Sequence, residues 1–90
     1  MVQEKEIGNM NNNRNGYFHT SDTALAAWLS TSGVKLIKVN STITPAEFTL
    51  QEETKGQVGE LTFAWESGTA TGNVVQFYKT YRYLLRKIRD

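Results

Sequence analysis

Cysteine is absent from the 90-residue sequence, which excludes a disulfide framework, a thiolate metal site and a cysteine nucleophile. Histidine occurs once, at His19, so a histidine-based metal cluster is excluded as well. Proline also occurs once, at Pro45, and marks a place where a strand cannot yet have begun. Long hydrophobic runs are missing: nothing approaches the roughly 18 apolar residues of a membrane-spanning helix, and Met1 to Glu6 lacks the apolar stretch of a secretion signal. The chain is therefore expected to be soluble and cytoplasmic, with no membrane partner. Gly56, Gly59, Gly68 and Gly72 form neither a dinucleotide-binding nor a phosphate-loop pattern, and the acidic residues form no calcium-loop run. No catalytic residue, cofactor or metal ligand is assigned, and a non-enzymatic protein is expected.

Apolar residues make up 39% of the sequence, enough for one small core. The net charge of +1 hides an uneven distribution. Residues 74 to 90 carry Lys79, Arg82, Arg86, Lys87 and Arg89 against Asp90, a balance of +4. Residues 46 to 66 carry Glu47, Glu52, Glu53, Glu60 and Glu66 against Lys55, a balance of −4.

Residues 1 to 16 are polar and rich in asparagine, with no apolar periodicity to offset the entropy of ordering, so a flexible tail is expected there. Asn15-Gly16 suits a hairpin turn, but nothing before it could pair with Tyr17 and Phe18, and no hairpin is expected. A single α+β domain is expected over residues 17 to 90. Tyr17 to His19 is a candidate edge strand. Ser21 or Thr20 is the expected cap of a helix from Asp22 to Ser32 that buries Leu25, Trp28 and Leu29, and Gly33 ends it. Val34–Val39 and Glu47–Glu52 read as two antiparallel strands, the second with Phe48 and Leu50 on one face. Residues 57 to 67 are ambiguous: Leu61, Phe63 and Trp65 alternate as in a strand, whereas Val58, Leu61, Ala64 and Trp65 fit a helix. Pattern alone slightly favours the strand, and Gly59 lowers helix propensity further.

The last stretch has the longest helical pattern. Val74, Phe77, Tyr78, Tyr81, Leu84, Leu85 and Ile88 recur at steps of three and four, so all should be buried, with Asn73 as N-cap and Gln76 placed to complete a capping box. Lys79, Arg82, Arg86 and Arg89 form a second row on the solvent side, with Tyr83 and Lys87 beside it. The expected core is Leu25, Trp28, Leu29, Leu36, Phe48, Leu50, Leu61, Trp65, Phe77, Tyr81, Leu84 and Leu85.

From Phe18 to Gly33 the chain reads F-H-T-S-D-T-A-L-A-A-W-L-S-T-S-G. This resembles a family of short uncharacterised bacterial and phage proteins, a domain of unknown function, whose pattern is F-x-T-x-D-x-x-L-A-A-x-L-x-x-x-G. The resemblance implies the order α-β-β-α-α, a two-stranded antiparallel sheet packed on three helices. It turns residues 57 to 67 towards helix and ends the chain in a basic amphipathic helix. It transfers no catalytic residue, and the Asn-rich tail lies outside it.

For function, His19 lies near Asp22 in sequence, but no partner nucleophile accompanies it, and Thr20, Ser21 and Asp22 are better explained as capping residues. The candidate contact residues are Lys79, Arg82, Tyr83, Arg86, Lys87 and Arg89. Cations in the last turns of a helix complement its dipole, and most such rows are merely solvated. A tiny domain without site chemistry usually acts by binding. The expected function is a protein-interaction or assembly module, homo-oligomeric or partner-bound, with the acidic segment of one copy facing the basic row of another; phage origin would place it in the host cytoplasm. The alternative is a nucleic-acid-binding accessory protein, with the row spaced along phosphates and Tyr83 stacked on a base.

Overall fold

The computed structural model describes residues 16–89. Of the tail expected over residues 1 to 16, all but Gly16 lies outside the described residues, as does Asp90. Six elements follow in order: β1 Tyr17–Thr20, α1 Thr23–Thr31, β2 Lys35–Asn40, β3 Glu47–Gln51, α2 Gln57–Ser67 and α3 Val74–Arg89. The fold class is α+β as expected. The sheet has three antiparallel strands in the order β1-β3-β2 rather than two, the third being the candidate edge strand at Tyr17 to His19, which extends to Thr20. Tyr17↔Gln51 and Thr20↔Phe48 bracket the pairing of β1 with β3. Gly16, assigned above to the tail, already joins this ladder, its carbonyl accepting from Glu52 N at 3.2 Å. Two strands with this little apolar surface would be marginal, and the third widens the face that covers the core.

Helix α1 is the centre of the molecule. Leu25, Ala26, Ala27, Trp28 and Leu29 are all buried, five residues in succession, so this helix is covered on every side. Alanines at 26 and 27 leave no side-chain bulk between α1 and its neighbours and allow close approach. The sheet packs on it through Phe48 and Leu50, both fully buried, with Phe18, Leu36 and Val39 at the margin. Its cap is Asp22, not Ser21 or Thr20: Asp22 Oδ1 accepts from Leu25 N at 3.0 Å, while Thr20 Oγ1 accepts from Asp22 N at 3.1 Å. A carboxylate at this point satisfies an orphan donor and complements the helix dipole together, which a hydroxyl does less well. Gly33, at a φ of 105°, turns the chain into β2. In β2 a bulge between Leu36 and Lys38 leaves Ile37 without a partner and turned outwards.

Residues 57–67 are helical, against the slight preference that alternation gave the strand. The reason is in the flanks. Gly56 takes a φ of 86°, which redirects the chain, and Glu52, six residues upstream, accepts from Val58 N at 2.9 Å through Oε1. That carboxylate caps the helix from within the preceding turn. Gly68, at a φ of 79°, ends it, with Thr69 N donating to Ala64 O at 2.9 Å. The helix turns Val58, Leu61, Ala64 and Trp65 to the core and leaves Phe63, on the other side, 73% exposed.

In α3, Asn73 caps as expected, its Oδ1 accepting from Gln76 N at 2.9 Å. The stripe is covered far less than expected. Only Leu84 is fully buried; Phe77, Tyr81 and Ile88 pack partly against the core, Leu85 is half-buried, and Val74 and Tyr78 are 77% and 55% exposed. Nine residues of α1 span about 14 Å and sixteen of α3 about 24 Å, so α3 overruns the helix it packs on, while Tyr78 lies to the side of the Phe77, Tyr81 and Ile88 stripe, against Arg82. Leu36, Leu61 and Trp65 are likewise half-buried rather than central, whereas Ala26, Ala27, Val34, Ala46 and Val58 complete the buried set. An aromatic ladder ties the three helices together: Trp28 to Trp65 at 5.5 Å, Trp65 to Phe77 at 6.3 Å and Phe77 to Tyr81 at 6.0 Å between ring centroids.

Candidate interaction surface

All six candidate contact residues lie on α3 and are exposed, so the helix presents them together. Lys79, Arg82, Arg86, Lys87 and Arg89 form a cationic face with no carboxylate on its own helix between Val74 and Arg89. Two of the cations rest on neighbouring rings. The Arg82 guanidinium lies 5.7 Å from the centroid of Tyr78 and donates to its hydroxyl at 3.0 Å, and Lys87 Nζ sits 5.6 Å over Tyr83. Both contacts are one turn of helix long and hold long side chains against the surface. Tyr83, Arg86, Lys87 and Arg89 line a shallow hollow of about 300 Å³. Tyr83 also joins Lys79, Ser30 and Leu36 around a second, of about 310 Å³, towards the β2 edge.

The same face carries exposed apolar residues that the helical pattern placed inside or left unassigned. Val75, Tyr78, Arg82, Arg86 and Arg89 follow at steps of three and four, and Val75 is 62% exposed. Val74 borders a smaller apolar hollow of about 210 Å³ with Trp28, Trp65 and Phe77, in whose lining Trp28 Nε1 donates to Thr71 O at 3.2 Å.

The acidic segment is not one patch. Glu47 stands on the sheet, 3.9 Å from His19 Nδ1; Glu52 caps α2; Glu53, Glu60 and Glu66 are exposed. His19 contacts β3, with its Nδ1 3.0 Å from Thr49 Oγ1, rather than Asp22. Sequence pattern missed a cleft of about 490 Å³ between β1 and α2, lined by Tyr17, Phe18, Glu52, Thr62, Phe63 and Glu66 among others. Its parts lie far apart in the chain, and its one sequence signal is Phe63, which the strand reading would have buried. Among the described residues no group of three His, Asp or Glu is placed to hold a metal, and no helix is long and apolar enough to cross a membrane.

Comparison with protein-family models, with curated proteins and with solved structures gave no match.

Proposed function

We propose that this domain is a non-enzymatic interaction or assembly module that works in the cytoplasm through the solvent face of α3, associating with further copies of itself or with a protein partner. The resemblance over Phe18 to Gly33 adds to this proposal the small proteins of bacteria and their phages as its setting. One observation carries the reading: Val74, Val75 and Tyr78 stand exposed beside the cations of the same helix. Covering a valine contributes about 1.5–3 kcal/mol when burial is complete, whereas an exposed ion pair contributes about 0–1 kcal/mol. Apolar contact therefore holds such an assembly, and charge orients it. The test is light scattering of the protein at low and high salt, with Arg82→Glu/Arg86→Glu as the control. The wild type should associate and the variant should not, with unchanged circular dichroism in both. A wild type that stays monomeric at high concentration removes the homomeric form; a pull-down without α3-dependent capture removes the other.

A second reading has its own observation, the hollow in which Tyr83 lies among Arg86, Lys87 and Arg89. Stacking a nucleobase on Tyr83 contributes about 1–3 kcal/mol and displacing Lys87 from the ring costs about 0.5–1 kcal/mol, so single-stranded nucleic acid fits. It leaves the exposed valines without a purpose, which ranks it second. Binding of this kind weakens with salt by a slope of about 0.7 to 0.9 per phosphate contact. No probe shift at low salt eliminates it.

A further inference from the structure

The cationic face and the β1/α2 cleft lie on opposite flanks of the molecule. Lys79 and Tyr83 share a hollow with Leu36 of β2, at one edge of the sheet, while the cleft opens beside Tyr17 and Phe18 of β1, at the other edge, with β3 between. A contact between them cannot be made within one molecule without crossing the sheet. We infer that the cleft receives an arginine or lysine side chain from α3 of a second copy, and that the copies join head to tail. The inference rests on the reading of α3 as an assembly surface and adds the acceptor and the symmetry.

The chemistry of the cleft suits a guanidinium or ammonium group on an apolar stem. Tyr17 and Phe63, 61% and 73% exposed, offer ring faces that attract a cation and cover its methylenes. Glu66 supplies a carboxylate at the rim. Glu52 Oε1 is held by Val58 N, and Oε2 lies beside Gly16, 4.0 Å from where a Cβ there would stand. Thr62 lines the same cleft. Arginine brings five donors in one plane, enough for both carboxylates together. At about 490 Å³ the cleft is within the range of small-ligand pockets. Donor and acceptor on opposite flanks make a heterologous contact, which gives rings or open chains rather than a closed two-fold dimer.

The test uses the full chain and two variants. Phe63→Ser/Glu66→Gln blunts the acceptor at exposed positions and spares the Glu52 cap, so the circular dichroism should be unchanged. Arg82→Glu/Arg86→Glu blunts the donor. In sedimentation equilibrium the wild-type average mass should rise past that of a dimer with concentration, and each variant alone should associate about tenfold or more weakly. Mixed, the two should stop at a one-to-one dimer, because one intact donor meets one intact acceptor. An acceptor variant that associates like the wild type overturns the inference and leaves the α3 reading standing. A wild type that stops at a dimer overturns the head-to-tail arrangement, and one that remains monomeric overturns the inference together with the homomeric form of the α3 reading.

Discussion

Helices α1 and α3 divide the labour of this small domain in opposite ways. The first has nine residues, five of them buried in succession, and little difference between its faces. The second has sixteen residues, a strongly two-sided pattern and a single fully buried residue, Leu84. Amphipathicity is therefore a poor guide to which helix a fold is built around. A helix enclosed on every side loses its periodicity because all its positions are apolar or small, while one at the surface displays it. The residues that α1 commits to the core are shielded from any partner, and those α3 leaves exposed are available to one.

The largest expected effect is in α1. Leu29→Ala should destabilise by about 2–5 kcal/mol, much of the stability of a domain this size, and urea unfolding would show it as a lower midpoint. Leu84→Ala should fall within the same range, because Leu84 is the one position where α3 enters the core completely. Ile88→Ala, partly exposed, should cost clearly less; an equal loss would mean that α3 is anchored along its whole length. At the caps, Asp22→Ala and Asn73→Ala should each cost about 0.5–2 kcal/mol, since each side chain accepts from a first-turn amide. The smallest change in stability, within about 0.5 kcal/mol, belongs to Val75→Ser, which should nonetheless weaken association.

Much of this contrast could be read from the residues. The end of α1 at Gly33, the strands β2 and β3, the Asn73 cap and the exposure of the basic row were all expected from local chemistry, which is set within a few residues of each position. What pattern could not supply was non-local. A helical wheel places Val74 and Tyr78 on the inner face, but it does not contain the neighbours that pack there, which cover Phe77 and Tyr81 and leave Val74 and Tyr78 exposed. Alternation at Leu61, Phe63 and Trp65 favoured a strand because it omits the Glu52 carboxylate, which caps α2 only after β3 has turned. The Ile37 bulge likewise arises from pairing with β3, not from β2 itself. At the surface the cations were legible as a row and the cleft was not, since Tyr17, Glu52 and Phe63 meet only in the folded chain.

The claim that α3 is the association surface is tested most directly by sedimentation equilibrium of the wild type beside Val75→Ser/Tyr78→Ser, at matched concentration and low salt. These substitutions leave every cation and every fully buried residue in place. The account predicts a concentration-dependent increase in mass for the wild type and a monomer for the variant, with superimposable circular dichroism spectra. A variant that assembles to the same mass as the wild type would contradict it, and a wild type that stays monomeric would remove its homomeric form.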